Sequence, residues 1–256
     1  MLSVVIPVFK TPLPLRRRCL DSLKGLDCEI IEVDGLPLTE ARNEGLRKAK
    51  GEWVWFVDAD DEARPEVVLH QAKAKDEDEQ WKFDVLMFGV RTRWGRFGKR
   101  WETIPPELNG EMSAADLETL NDNLLFRYSV NKIYRREFLV KNDIWFESGT
   151  EPCEDAIFNL KCVKAGAWWR IVQEVGYVYW KRLGSSLFRY CPTIEKACRR
   201  ENELWNGTNG WSEEQIAAKV WDNRWLKGNP EKDPPLKWRA RQFALLARRL
   251  LRFVGV

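Results

Sequence analysis

Mostly apolar runs alternate with amphipathic stretches along the first part of the chain. The apolar runs are short and rich in β-branched residues, a composition typical of strands buried in a parallel sheet. Between them, apolar residues recur every three or four positions, which predicts two helices joined to the strands by right-handed crossovers. We expect strands over residues 4–8, 29–33 and 53–57, and helices after Thr11 and over 40–50, with Thr39 capping the second helix and Gly51 closing it.

The patterns continue less regularly up to about residue 180. No internal repeat and no low-complexity linker interrupts them, so we expect one domain over residues 1–230. The stretch 95–99 is predicted to form a hairpin turn, since it lacks the spacing of a phosphate-binding loop. The remaining elements are predicted as helices over 65–75, from Ser113, up to Val140 and over 156–166, and as strands over 83–90 and 171–179.

A different pattern follows the consecutive prolines Pro234 and Pro235. Over residues 236–254 one helical face carries Phe243, Leu246, Ala247, Leu250 and Val254. Six Arg or Lys lie elsewhere, so we predict a basic amphipathic helix within residues 231–256. Such a helix can dock on its own domain, or it can rest on anionic lipid as an interfacial helix. The sequence leaves both interpretations open.

Charge and composition argue against several classes of function. The chain has 42 Lys and Arg against 39 Asp and Glu, a net charge of +3, which argues against a nucleic-acid partner. Its single histidine, His70, falls in a charged helical stretch, so Ser-His-Asp and Cys-His catalysis are disfavoured and any metal needs mainly oxygen ligands. The six cysteines lack zinc-type spacing, and neither a secretory signal nor a run of roughly 20 apolar residues is visible, so we expect a cytoplasmic protein with reduced thiols.

Acidic residues stand where the predicted strands end. Asp58 and Asp60 directly follow the third strand, and Asp34 follows the second. Parallel α/β sheets bind ligands beyond the carboxyl ends of their strands, and neighbouring carboxylates there favour a hard cation. Each motif alone also fits a plain structural role, because residues 58–61 and the pair Glu154 and Asp155 can cap helices and Asp34 can begin an ordinary turn. The acidic positions are informative only as a set.

Five segments form an ordered set of motifs along the chain. They are Val4-Val5-Ile6-Pro7-Val8-Phe9, the stretch from Ala41-Arg42-Asn43 to Asp58-Ala59-Asp60-Asp61, Asn131-Lys132-Ile133-Tyr134, Glu154-Asp155-Ala156, and the stretch from Tyr179 through Lys181 and Arg182 to Ser186. Taken in this order, they resemble the family 2 glycosyltransferases of the GT-A fold. Each motif is weak alone, but their order and approximate spacing agree across residues 4–186. The resemblance implies an α/β fold with a mainly parallel sheet flanked by helices, in one domain followed by the helical tail.

The resemblance also implies roles for individual residues. Asp60 would bind Mn²⁺ or Mg²⁺ at the diphosphate of a nucleotide-sugar donor, and Asp58 would hold the ribose or the metal and its water shell. The metal would neutralise charge on the leaving group. Asp155 would be the general base that takes a proton from the acceptor hydroxyl, with Glu154 beside it, which gives inversion at the anomeric carbon. Further donor contacts are implied for Pro7, Phe9 and Asp34 around the base and for Arg182 and Ser186 at the pyrophosphate.

The sequence departs from the family between the second strand and the second helix. The family usually carries two adjacent acids here, whereas this chain keeps only Asp34 in that place. Only six residues separate Asp34 from Ala41, and a parallel crossover needs about a dozen residues. We therefore expect an edge strand and its helix to be missing, which shortens the wall beside the base and predicts weak nucleotide affinity.

The leading hypothesis is a metal-assisted inverting glycosyltransferase that moves a sugar from a nucleotide donor, expected to be a UDP-sugar, to a glycan or lipid-linked acceptor. If the tail over residues 236–254 binds lipid, the protein is expected on the inner face of the membrane. The alternative is a non-catalytic nucleotide-sugar-binding or scaffold module derived from such an enzyme. A nucleotidyltransferase is disfavoured because residues 10–14 do not form a glycine-rich phosphate loop.

Overall fold

The computed structural model describes residues 1–72, 83–94, 98–102, 109–113, 127–181 and 193–204. The chain divides into two compact units, which are described separately. The first unit consists of Met1–Ser148 and Glu154–Lys181 and contains every described strand. The second consists of Gly149–Cys153 and Arg182–Val256, and its described helix is α6 (Ile194–Leu204).

The first unit is built on one sheet. Its described strands are β1 (Leu2–Val8), β2 (Cys28–Asp34), β3 (Trp53–Phe56), β4 (Glu62–Ala63), β5 (Val85–Trp94), β6 (Gly98–Glu102), β7 (Gly110–Met112), β8 (Lys132–Arg135) and β9 (Trp169–Lys181). They follow the order β2-β1-β3-β8-β5-β9-β4, with β6 paired to β5 and β7 paired to β9. Pairing is parallel between β1 and both its neighbours and between β5 and β9, and β8 runs antiparallel between these two parallel groups.

Helices complete the α/β architecture that the sequence predicts. In the first unit they are α1 (Leu13–Asp21), α2 (Leu38–Lys48), α3 (Pro65–Ala72), α4 (Arg136–Lys141) and α5 (Glu154–Lys164). Within the described residues up to residue 181, the predicted strands and helices correspond to these elements. β5 and β6 pair antiparallel on either side of the predicted hairpin turn, of which residues 95–97 lie outside the described residues. The helix predicted from Ser113 lies almost wholly outside the described residues.

Two details at the ends of α2 differ from the prediction. Pro37 is the N-cap of this helix, and Thr39 lies inside the first turn, buried, with its hydroxyl 3.4 Å from that of Ser148. At the other end the helix stops at Lys48, so Gly51 does not close it. Gly51 instead lies against β1, where an added Cβ would be 2.7 Å from the backbone nitrogen of Ser3. Its small size therefore serves the close approach of two backbones rather than a helix end.

The face of the sheet beneath α2 and α5 is tightly packed. An added Cβ on Gly45 would lie 2.1 Å from Cγ1 of Val5, so glycine allows α2 to approach β1 closely. Beside this contact, the rings of Phe146 and Phe158 stack with centroids 4.0 Å apart, and both meet the ring of Phe56 edge-on. Such close packing fixes side chains on α2 and α5 relative to the end of β3.

The shortened connection that the sequence predicts is present. β2 pairs with β1 along all seven of its residues and lies at the end of the sheet order. Three residues, Gly35 to Pro37, connect the last residue of β2 to the first residue of α2. No further strand or helix fits in this connection, so the chain returns from the edge of the sheet directly to β3.

Some predictions are not tested by the described residues. The helix predicted within residues 231–256 lies outside them, and so does the boundary predicted at residue 230. Among the described helices, none combines the length and apolarity that crossing a membrane requires. The described cysteines are free thiols.

Candidate functional site

The turn after β3 carries the acidic residues that the sequence singles out. The strand direction continues to Val57, whose backbone nitrogen donates to Val5 at 3.0 Å. Asp58 and Asp60 follow, and both are half-buried. The backbone nitrogen of Asp61 donates to the carbonyl of Asp58 at 3.0 Å, which closes a tight turn. The two acids of the predicted metal pair therefore stand at the carboxyl end of β3.

Asp61 is a structural anchor for this turn. It is fully buried, and its two carboxylate oxygens accept from the backbone nitrogen of Trp180 at 2.8 Å and from the hydroxyl of Tyr177 at 2.8 Å. The same hydroxyl accepts from the backbone nitrogen of Asp58 at 3.2 Å. Burial, with the nearby charge of Asp58, raises the pKa of Asp61 well above its ordinary value. Asp61 thus ties the turn to β9.

A buried arginine joins the two acidic motifs. Arg42 on α2 is 1% exposed and donates through Nη2 to Oδ1 of Asp58 at 3.0 Å. Through Nη1 it donates to Oδ1 of Asp155 at 2.5 Å and lies 3.7 Å from Oε1 of Glu154. Its guanidinium carbon lies 5.1 Å from the ring centre of Phe146. The structure therefore brings together residues that lie more than 100 positions apart in the chain.

The electrostatics of this cluster favour a bound positive charge. One guanidinium faces three carboxylates, so the negative groups are in excess. Burial opposes the charge on Arg42, but the fields of Asp155, Asp58 and Glu154 outweigh it and hold the pKa of the guanidinium above its ordinary value. Burial, reinforced by the charge of Asp155 and opposed by Arg42, raises the pKa of Asp58.

Asp155 occupies a defined position within the cluster. It lies in the first turn of α5, where the helix dipole stabilises a negative side chain. Besides Arg42, the hydroxyl of Ser129 donates to its Oδ1 at 2.7 Å. Glu154 precedes it in the same turn and is buried. The helix-cap interpretation of this pair therefore explains only part of its environment, because both side chains also face Arg42.

The predicted base-binding residues lie at the ends of β1 and β2. Pro7 is buried within β1, and the register pairs Val8 with Asp34, so Phe9 and Asp34 leave the same end of the sheet. Phe9 is 56% exposed, and Asp34 is also exposed. This side of the site is therefore open. Arg182 and Ser186, predicted to contact the pyrophosphate, lie outside the described residues.

The carboxylates fit a divalent cation only if a bound ligand completes the site. Among the described residues, no set of three or more His, Cys, Asp or Glu side chains is arranged to hold a metal ion by itself. Mg²⁺ in nucleotide sites is commonly held by one or two carboxylates together with substrate phosphates. Asp60 and Asp58 at the end of β3 match that type of site, although one oxygen of Asp58 already accepts from Arg42.

Two residues of the site were missed as candidates at the sequence level. Arg42 falls within a motif that supports the resemblance, and Ser129 precedes another. A signal for Arg42 existed, because Thr39, Arg42 and Leu46 share one face of α2 and an arginine on a buried face requires an acidic partner. For Ser129 we see no comparable signal.

Known proteins match the chain in sequence over part of its length. Residues 35–142 match the model of the family described as glycosyl transferase family 2. TarS of Staphylococcus aureus, a poly(ribitol-phosphate) beta-N-acetylglucosaminyltransferase, is 30% identical over 138 residues, which are 54% of this chain and 22% of TarS. EpsJ of Bacillus subtilis, an uncharacterized glycosyltransferase, is 24% identical over 70% of this chain and 60% of EpsJ. The chain thus covers less than two thirds of these relatives.

The fold is also found among solved structures. The crystal structure of residues 1–349 of S. aureus TarS in complex with UDP-GlcNAc matches with a TM-score of 0.62 at 21% identity, over 94% of this chain and 79% of that one. The match to the same fragment in complex with UDP has a TM-score of 0.59. Together with the sequence matches, this relates the chain to the family 2 glycosyltransferases and assigns it the GT-A fold.

Proposed function

We propose that this chain, a relative of the family 2 glycosyltransferases, is an inverting glycosyltransferase that uses a UDP-sugar. The observation that carries the proposal is the cluster in which Arg42 holds Asp58 and Asp155 together at the carboxyl end of β3. A donor bound at Asp58 and Asp60 would then present its reacting carbon to the carboxylate of Asp155. Proximity of this kind is a principal source of catalysis.

The donor proposed for the first tests is UDP-N-acetylglucosamine. The structural relative TarS has been crystallised with UDP and with UDP-GlcNAc, and its fold matches this chain. The carboxyl ends of β1, β2 and β3 carry Phe9, Asp34 and Asp58, in the crevice where open α/β sheets bind nucleotides. The neighbouring acids suit a diphosphate only with a cation present, because like charges repel.

In the proposed reaction the acceptor hydroxyl displaces the nucleotide in one step. Asp155 takes the proton of the acceptor hydroxyl while the oxygen of that hydroxyl forms a bond to the anomeric carbon. The bond from that carbon to the diphosphate oxygen breaks, UDP leaves with the bonding pair, and the configuration inverts. Asp60 and Asp58 would hold Mn²⁺ or Mg²⁺, which neutralises charge on the departing diphosphate. Arg42 keeps both carboxylates in place throughout.

The acceptor is proposed to be a hydroxyl of a glycan or of a polyol phosphate polymer. The relative TarS is by name a transferase to poly(ribitol-phosphate), which supports including that class in a screen. Attachment of the acceptor to a lipid, and peripheral contact with a membrane through residues 236–254, rest on the sequence pattern alone.

The second candidate is a module that binds a nucleotide sugar without turning it over. The shortened connection between β2 and α2 favours it, because this side offers little wall for the base. Against it stands Asp155, since binding the donor alone requires no base beside it. The two proposals differ in whether UDP is released.

Calorimetry of UDP binding with and without Mn²⁺ tests the donor site. We expect wild type to bind UDP at least about tenfold more tightly with Mn²⁺, because a cation held by Asp60 and Asp58 would offset the repulsion between these carboxylates and the diphosphate. Asp60→Ala should abolish this gain. Asp21→Ala, which removes an exposed acid of α1 paired with Lys24, should leave it intact.

Three other results would count against parts of the proposal. UDP that binds equally with and without Mn²⁺ would contradict the metal-assisted part. UDP that binds under no condition would contradict the donor assignment. Binding without UDP release from UDP-N-acetylglucosamine or from any acceptor-supplemented UDP-sugar would favour the non-catalytic module.

A further inference from the structure

Both hydrogen bonds to Asp155 from described residues end on the same oxygen. Arg42 Nη1 and Ser129 Oγ donate to Oδ1, at 2.5 and 2.7 Å. Because both donors among the described residues face Oδ1, these residues leave Oδ2 to receive a proton. The carboxylate of Asp155 cannot rotate about its Cβ–Cγ bond without breaking the hydrogen bonds from both Arg42 and Ser129.

Ser129 belongs to a short turn, which is closed by hydrogen bonds within the turn itself. This turn, residues 128–132, precedes and enters β8. The buried ammonium of Lys132 donates to the carbonyl of Tyr128 and, at 2.8 Å, to Oδ1 of Asn131. The backbone nitrogen of Lys132 also donates to the carbonyl of Ser129, at 3.2 Å. The hydroxyl of Ser129 thus projects from a segment that is hydrogen-bonded within itself.

Neighbouring elements hold the same turn from outside. The indole of Trp55 on β3 donates to the carbonyl of Val130 at 2.7 Å. The side chain of Asn131 donates to the carbonyl of Phe88 on β5 at 3.0 Å. In turn, the backbone nitrogen of Phe88 donates to the carbonyl of Asn131 at 3.1 Å. The side chain of Asn159 on α5 donates to the carbonyl of Tyr128 at 3.1 Å. The turn is therefore fixed to two strands and to the helix that carries Asp155.

Burying the ammonium of Lys132 costs the fold stability, so stability alone does not explain a lysine at this position. The ammonium is fully buried, and burial lowers the pKa of Lys132 well below its ordinary value. An apolar residue of similar volume would fill such a place at lower cost, since removing an ammonium from water is expensive. An apolar residue, however, could not donate a hydrogen bond to the carbonyl of Tyr128 and so could not keep the turn in its present shape.

We propose that Ser129 is a positioning residue, which fixes the carboxylate of Asp155 so that Oδ2 receives the proton of the acceptor. The inference rests on the proposed function, because it needs Asp155 to be the base. Ser129 itself touches no substrate in this account. Its contribution is orientation. Among the described residues, the charged groups around Asp155 are Arg42, Glu154, Asp58 and Lys132.

The test compares Ser129→Ala with a rescue variant and a matched control. Turnover is followed as UDP release from UDP-N-acetylglucosamine, with water as the acceptor. Ser129→Ala should lower kcat about tenfold, the order expected for one lost hydrogen bond, with the KM for donor and the Tm little changed. Ser129→Thr, which keeps the hydroxyl, should restore at least half of kcat.

Ser3→Ala is the matched control. Ser3 is also a fully buried serine whose hydroxyl donates to a carboxylate, that of Glu29 at 2.6 Å, but at the opposite end of β1. It should leave kcat unchanged. In the Asp155→Asn background, Ser129→Ala should cause no further loss, because a residue that acts through Asp155 has nothing left to orient.

The outcomes separate this inference from the function on which it rests. If Asp155→Asn lowers turnover about a thousandfold but Ser129→Ala has wild-type kcat, the positioning role is wrong and the proposed function stands. A loss in Ser129→Ala that persists undiminished in the Asp155→Asn background, or that Thr fails to restore, also overturns it. Wild-type turnover in Asp155→Asn, or no UDP release by wild type from UDP-N-acetylglucosamine or from any acceptor-supplemented UDP-sugar, overturns the proposed function and this inference together.

Discussion

The two sides of the candidate site are built differently. On the side formed by β3, α2 and α5, Arg42 is 1% exposed and joins Asp58 to Asp155 beneath packed aromatic rings. On the side formed by the ends of β1 and β2, Phe9 is 56% exposed and Asp34 is exposed at the edge of the sheet. The side proposed for the reaction is enclosed and held together by hydrogen bonds, whereas the side proposed for the base is open.

The topology explains this difference. The shortened connection removes structure only beyond β2, which is already the edge of the sheet order. The acidic cluster draws its residues from β3, α2 and α5, which do not depend on anything beyond that edge. The wall proposed for the nucleotide can therefore be short while the cluster proposed for catalysis stays intact. We expect donor affinity to come mainly from the diphosphate and its cation.

The largest expected effect is on the reaction side. Asp155→Asn should lower turnover of a UDP-sugar about a thousandfold, because the amide cannot take the proton of the acceptor. Binding of UDP, measured by calorimetry, should stay within about threefold of wild type, since Asp155 is not a donor contact in this account. Asp143→Asn, an exposed acid outside the cluster, should keep full turnover. Comparable losses in turnover and binding would show that the two sides are not separable.

The next effect concerns the stability of the same cluster. Arg42→Met should lower the free energy of unfolding by about 3–5 kcal/mol, because three carboxylates would remain close together without their buried cation. Urea unfolding of both proteins measures this loss. Arg47→Met removes an arginine of the same helix that is 58% exposed and should change stability little. Equal destabilisation by both variants would contradict the role given to Arg42.

A smaller effect is expected where α2 meets β1, the strand shared by the two sides. Gly45→Ala should cost about 1–3 kcal/mol, because the new methyl would overlap Cγ1 of Val5, 2.1 Å away. In the double variant with Val5→Ala, the loss should be smaller than the sum of the two single losses. Additive losses in thermal or urea unfolding would mean that α2 relaxes away from β1 instead.

The smallest effect is expected on the open side. Phe9→Ala and Asp34→Ala should each weaken UDP binding less than about tenfold, and wild type should discriminate UDP from GDP and ADP by a similarly small factor. Removing an exposed contact costs little binding free energy, because water already competes for that contact in the folded protein. A preference of a hundredfold or more for UDP, lost on substitution of either residue, would show that this side is a formed base pocket.

The sequence predicted the fold well because its signals are local. Each buried strand shows as a short apolar run, and the predicted and observed positions of β1, β2 and β3 differ by two residues at most. The errors lie at the ends of α2, where Thr39 has the chemistry of a cap but Pro37 is the N-cap, and where Gly51 serves packing. The cap propensity of a residue does not tell which of two neighbouring positions the chain uses.

The site was predictable only in part. Asp58, Asp60 and Asp155 follow from strand ends and from a resemblance, both of which are visible in a linear sequence. The cluster itself depends on contacts between residues more than 100 positions apart, and no local pattern encodes the distance from Arg42 to Asp155. Ser129 is a single polar residue before an apolar run, and only the folded chain shows which oxygen it faces.

The most direct test of the central claim is a crystal structure of the protein soaked with UDP and Mn²⁺, with the metal located by its anomalous signal. The account predicts a manganese peak at the carboxylate of Asp60, with the diphosphate between that peak and the end of β1 and with Asp155 facing the terminal phosphate. A manganese peak or a nucleotide bound elsewhere, with Arg42, Asp58 and Asp155 untouched by either ligand, would contradict it.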